Sequence, residues 1–120
     1  MMINLSETAS NAMLDALSQL MDGGSIELLT GDGKILVVLQ LSDPATMAAV
    51  DSELEFREIS EEDAAAQGNA MAARIIAADG NEVFSCDVGD KSSDAVITLN
   101  STRIERGGVV QLRSFRLAMP

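Results

Sequence analysis

At Gly23-Gly24 the apolar pattern of this 120-residue chain changes period, and that change constrains the fold more than any other feature. Before it, Met13, Leu17, Leu20 and Met21 recur at i, i+4, i+7 and i+8, one stripe of an amphipathic helix. Asn4 followed by Glu7 gives a capping-box-like start, in which each side chain satisfies a free backbone N–H. Ala9, Ala12 and Ala16 form a small-residue flank that permits close approach. Glycine takes the left-handed position after a helix cheaply, so Gly23-Gly24 ends it. At 1.5 Å per residue the predicted helix is about 25 Å long.

After Gly24 the period is two. Residues 25–30 and 34–41 read as a hairpin around Gly31-Asp32-Gly33, with Asp-Gly the turn signal. The run Ile35-Leu36-Val37-Val38-Leu39 is apolar on both faces. One face is expected to meet the core, the other the helix or a neighbouring subunit, with Leu36 and Val38 as seam residues. Ser42-Asp43-Pro44 punctuates the chain, and residues 45–50 are compatible with a short helical turn. Residues 54–59 read as a strand with Leu54 and Phe56 inward, and 60–63 as an acidic turn or short helix start. Residues 69–78 and 82–88 read as a second hairpin around Asp79-Gly80-Asn81. Residues 89–93 form a loop, 94–100 a strand, and 101–106 its continuation after a bend. Gly107-Gly108 turns the chain into a last strand at 109–118. Val110 and Leu112 face one way there and Phe115 and Leu117 the other, so a β-bulge is expected near Arg113-Ser114.

The predicted class is mainly β: an antiparallel β-sandwich or jelly-roll-like domain with one N-terminal α-helix. Residues 1–24 form the helix or arm and 25–120 the β domain, one structural unit overall. The core must be built from Ala, Met, Leu, Ile and Val, because only Phe56, Phe84 and Phe115 are aromatic. Such a core gains less area per side chain, so the lone protomer is expected to lean on neighbouring subunits.

Several chemistries lack their residues. There is no histidine, which removes Ser-His-Asp and Cys-His catalysis and histidine zinc sites. A single cysteine, Cys86, cannot form an intrachain disulfide and sits in an alternating strand pattern, as a core thiol would. Gly31-Asp32-Gly33-Lys34 is followed by Ile35 rather than Ser or Thr, so it is a turn and not a phosphate loop. Asp51, Glu53 and Glu55 alternate and Glu61, Glu62 and Asp63 follow, a pattern of a solvated strand face and acidic turn that could also hold calcium or act on glycosides. Asn4-Leu5-Ser6 and Asn100-Ser101-Thr102 fit the glycosylation pattern, but no secretory leader is expected, since Met1-Met2-Ile3-Asn4 has neither a basic region nor an apolar h-region. No catalytic, metal or cofactor residues are therefore assigned, and no enzyme activity or cofactor is expected.

Net charge is −11 and uneven, with −14 over residues 1–94 and +3 over 95–120. That sign argues against nucleic acid and against anionic membrane. No run reaches the roughly 18 apolar residues of a membrane span. Arg103, Arg106, Arg113 and Arg116 near the C-terminus suit contact between an acidic face of one protomer and an arginine-bearing face of another.

The chain resembles a group of small, uncharacterised tailed-phage and prophage structural proteins. The resemblance lies in Asn11-Ala12-Met13-Leu14-Asp15-Ala16-Leu17 before the Gly-Gly break, the Asp79-Gly80 hairpin, and Asp87-Val88-Gly89. It continues through the stretch from Asp94 to Ile104, Gly107-Gly108-Val109-Val110, and the closing Ser114-Phe115-Arg116-Leu117-Ala118-Met119-Pro120. It covers the helix and residues 70–120, and departs from the group at 42–68 and at Ala73-Arg74-Ile75, where an aromatic often stands. What it implies is a virion role, foremost a capsid decoration (cement) protein, made in the bacterial cytoplasm and placed on the capsid surface. The implied partners are itself, as a homo-oligomer with a trimer favoured, and the major capsid protein or another virion protein. A head–tail adaptor or tail component is the alternative within the virion, and a soluble sugar- or ligand-binding module the alternative outside it. The expected interface residues are Met13, Leu17, Leu20, Leu36, Val38, Arg113 and Arg116.

Overall fold

A computed structural model describes residues 5–118. The fold is mainly β with one N-terminal helix. Helix α1 spans Glu7–Met21. Ser6 caps it, its Oγ accepting from the Ala9 N–H at 3.1 Å. The predicted Asn4 cap lies outside the described residues. Gly23, at φ 69°, ends the helix as expected.

The core face of α1 differs from the predicted stripe. Ser10, Leu14, Ser18 and Met21 are buried, while Met13 and Leu20 are 53% and 59% exposed. Leu17 packs partly against the core edge. The core face carries two serines, so apolar spacing alone pointed between two faces of the helix.

Strands β1 (Ser25–Leu29) and β2 (Ile35–Gln40) form the predicted first hairpin. The strands that follow are β3 (Glu53–Glu55), β4 (Glu62–Asp63), β5 (Gly68–Asn69), β6 (Ala72–Ile76) and β7 (Glu82–Asp90). The last are β8 (Ile97–Leu99), β9 (Arg103–Ile104), β10 (Val109–Val110) and β11 (Ser114–Ala118). Seven of them make one sheet in the order β2-β1-β6-β7-β8-β11-β3, and β10-β4 and β5-β9 form two small ribbons. Every pair in the sheet is antiparallel except β7–β8. The sheet is therefore mixed, where a purely antiparallel pairing was expected.

A parallel pair normally needs a long crossover. Here the pairing covers only three residues, Val88–Ile97 to Asp90–Leu99, so a short loop can return the chain. That loop is tied internally. Asp90 Oδ1 accepts from the Ser92 N–H at 2.9 Å, and the Asp90 carbonyl accepts from Ser93 Oγ at 2.9 Å. Asp87 Oδ1 accepts from the Val96 N–H at 3.0 Å. A side chain on Gly89 would collide with Ser93, so glycine alone fits beneath the loop.

The predicted last strand is two strands. β10 pairs with β4, and β11 pairs with β8 and β3. The phase change comes from the chain leaving one sheet for another across 111–113, not from a bulge within one strand. Buried Val110 and Phe115 therefore reach the same core from different sheets. Residues 60–63 likewise end in β4 rather than in a helix start.

The core runs through Ile26, Leu28, Leu36, Val37, Leu39, Leu54, Ile75 and Ile97, with Leu14 and Met21 joining from the helix. Glu27 and Arg74 face each other across β1 and β6, 2.7 Å apart, on the opposite side of the strands from Ile26 and Ile75. Gly24 sits where a Cβ would overlap the carbonyl oxygen of Ile76, so the helix can enter β1 only through glycine. Gly24→Ala must displace backbone and is expected to cost more than about 2 kcal/mol. Gly33, at φ 90° with open space around it, should cost only about 1–2 kcal/mol on substitution by Ala. Urea unfolding of both variants checks the ranking, and equal losses would refute the close-approach account.

Candidate functional site

A polar row on α1 positions the surface that the sequence left unread. Asn11, Asp15, Ser18 and Asp22 recur along one side of the helix. Asp22 Oδ1 accepts from the Ala45 N–H at 2.8 Å, and Asp15 Oδ1 from the Ala49 N–H at 2.7 Å. Asn11 Oδ1 accepts from the Ser52 N–H at 2.9 Å. Ser18 Oγ and Thr46 Oγ1 share a buried hydrogen bond of 2.6 Å. Segment 45–52 thus gives three backbone donors to helix side chains.

The same segment forms a β-arm with β3, not the helical turn expected of 45–50. The Met47 N–H donates to the Glu55 carbonyl at 3.0 Å, and Val50 and Glu53 exchange bonds of 3.1 and 3.0 Å. The turn between them is Asp51-Ser52, with φ of 54° and 58°. Positive φ at both central residues matches a tight hairpin turn usually filled by Asn and Gly. The Asn11 contact to Ser52 helps hold two ordinary residues in that conformation.

β3 pairs with β11 only from Glu53–Ala118 to Glu55–Arg116. Beyond it residues 56–59 and 111–114 diverge and leave an open groove of about 850 Å³. Phe56 and Phe115 stack in it with centroids 3.9 Å apart, and Phe84 leans on Phe115 at 6.5 Å. All three aromatic residues of the chain meet at Phe115. Leu112, Ile59 and Met47 extend the apolar lining, and Arg57, Arg113 and Arg116 alternate with Glu53, Glu55 and Glu58 around it. Arg116 contacts Glu53 at 2.7 Å, and Arg113 reaches Asn100 Oδ1 at 3.5 Å. Met47 and Val50 stand 53% and 63% exposed beside the groove.

The expected interface residues fall into three groups. Met13 and Leu20 stand exposed on an outer flank of α1, while Leu17 is half-buried against the core edge. Arg113 and Arg116 line the groove. Leu36 is fully buried in the protomer's own core and offers no surface to another subunit. Val38 is 38% exposed on β2, a sheet-edge strand. Part of that edge is covered, because the Ala65 N–H donates to the Leu36 carbonyl at 2.9 Å and Ser60 bonds Gln40. The predicted set missed Met47, Val50, Phe56 and Arg57. Phe56 does pack inward on Phe115 as expected while also lining the groove, and Met47 and Val50 lie in a stretch without a clear period.

Asp32 is held below the ordinary carboxylate range, mainly by the Thr30 hydroxyl, and Asp90 by the Ser92 hydroxyl; both are exposed turn residues. Burial, then the nearby Asp87 charge, pushes the Cys86 thiol from 9.0 up to about 11. Among the described residues no three acidic or cysteine side chains are placed to share a metal ion. Asp51 occupies the hairpin turn and Glu53 is engaged by Arg116, so the acidic residues 51–55 do not converge. No helix among the described residues is long and apolar enough to cross a membrane.

Comparison with protein families, with curated proteins and with solved structures found no match to this chain. The likeness to tailed-phage proteins therefore rests on the sequence motifs alone.

Two measurements probe this arrangement. Asp15→Ala should cost about 1–3 kcal/mol, since a buried-side N–H loses a charged acceptor. Hydrogen exchange should show the Ala49 amide losing protection, and unchanged protection would remove the helix from the account of the arm. Cys86 should remain thiol at pH 8, with roughly 100-fold less thiolate than an unshifted cysteine. Alkylation of native protein should accordingly lag far behind that of urea-unfolded protein, and equal rates would contradict its burial.

Proposed function

We propose that the protein is a bacteriophage virion structural protein, a capsid decoration protein that braces the shell as a small oligomer. The observation that carries this reading is a pair of separate apolar surfaces that the protomer leaves unused. One is the helix flank of Met13 and Leu20, and the other is the arm carrying Met47 and Val50 beside the aromatic groove. A subunit that must hold both its own copies and a foreign shell needs two such surfaces. The net charge of −11 suits a shell exterior better than the DNA-facing side. The motif likeness to tailed-phage proteins points the same way.

On this reading the arm and groove face the shell. The groove is open along its length and bordered by both signs of charge, which fits an extended protein segment better than an enclosed small molecule. Apolar contact by Met47 and Val50 would supply affinity, and Arg57 and Arg113 orientation.

The copy number of this chain in purified virions, by quantitative peptide mass spectrometry, tests the proposal. Copies comparable with the major shell protein are expected. A handful per particle would move the role to the head–tail junction or tail, and none would leave a soluble binding module. Val50→Asp, at an exposed site, should lower shell occupancy at least tenfold without unfolding the domain.

A further inference from the structure

Helix α1 has three working faces, and only two are occupied. Ser10, Leu14, Ser18 and Met21 meet the core. Asn11, Asp15 and Asp22 hold the arm. On the third face, Ala9, Met13, Ala16 and Leu20 follow one another at spacings of four, three and four. That is the seam spacing of two packed helices. Met13 and Leu20 are 53% and 59% exposed there, and Ala16 is exposed between them. Among the described residues, none of these four belongs to the hydrophobic core cluster.

We infer that α1 pairs antiparallel with α1 of a second copy of the chain, through Ala9, Met13, Ala16 and Leu20. The seam is complementary to itself. With a two-fold axis between residues 14 and 15, Met13 of one copy lies opposite Ala16 of the other, and Leu20 opposite Ala9. Each large side chain then meets a small one, the interdigitation that close packing requires. Parallel pairing would set Met13 on Met13 and Ala16 on Ala16, with alternate crowding and gaps. The antiparallel arrangement also opposes the two helix dipoles favourably.

Charge selects the same face. Each copy carries −11, so self-association is penalised wherever acidic surfaces meet. The helix contains only Glu7 and Asp15 as charged residues, and Asp15 is turned to the arm. The seam has none, so two copies can meet there with no close like-charge pair.

A two-fold pair makes the protein a dimer rather than the trimer implied by the phage resemblance. This inference takes up the helix flank that the proposed function assigns to the protein's own copies, but it is tested apart from the virion role, since a dimer forms or fails to form in purified protein with no shell present. Sedimentation equilibrium of the intact chain should give a concentration-dependent mass approaching twice 12.6 kDa. Leu20→Asp should return it to the monomer mass with an unchanged circular dichroism spectrum, because the site is exposed. Register is read separately by cysteine pairing in a Cys86→Ser background. A mixture of Met13→Cys and Ala16→Cys proteins should oxidise to mixed dimers faster than either protein alone. A monomer mass at roughly 1 mM chain, a trimer mass, an undiminished dimer in Leu20→Asp, or faster self-pairing of Met13→Cys would each overturn the inference.

Discussion

The rest of the structure depends on a row of polar side chains along one helix. Asn11, Asp15 and Asp22 accept backbone N–H groups from segment 45–52, and Ser18 adds Thr46. Those donors would otherwise be an unpaired sheet edge. Held in place, 45–50 covers the outer edge of β3, β3 closes on β11, and β11 brings Phe115 against Phe56. The sheet thus ends at a covered edge rather than an open one. The groove is a consequence: the arm is fixed at its helix side, β3 pairs with β11 at one end only, and the chains must part beyond it.

The opposite edge is managed differently. The segment before β5 shields β2 through backbone bonds at Leu36 and Gln40. Both edges are therefore covered by irregular chain from the same region, 42–66. That stretch adds only β3 to the sheet, yet it covers the edge beyond β3 and part of the β2 edge. It also carries much of the acidic charge, which keeps these coverings soluble without placing charge on the helix seam.

Legibility in the sequence followed the range of the interactions. The hairpins β1–β2 and β6–β7 were readable because their turns, Gly31-Asp32-Gly33 and Asp79-Gly80-Asn81, are set by neighbouring residues. Asp32 bonded to Thr30 and Asp79 bonded to Asn81 are local devices. Segment 45–52 was unreadable because its conformation is imposed by a helix some thirty residues earlier in the chain. The parallel β7–β8 pair was hidden for a related reason: its loop is short only because Gly89 lets Ser93 sit against the strand. In the final strands the alternation is visible in the sequence, but a phase change looks the same whether a strand bulges or transfers between sheets.

The candidate surfaces were half legible for a further physical reason. Burial was inferred from apolarity, and α1 reverses that relation: serines 10 and 18 lie in the core while Met13 and Leu20 face outward. Small hydroxyl side chains let the helix pack close to the layer beneath it, and Met21 fills the space at its end. An apolar stripe left outside by such packing has no role in the protomer's own stability. A chain of net −11 charge that keeps four consecutive seam positions uncharged retains a surface suited to contact. The same logic holds for Leu36, whose apolar neighbours made it look like a seam residue. Its strand lies against the core on that side, so the side chain is taken up by the protomer's own packing, whereas Met13 and Leu20 are not.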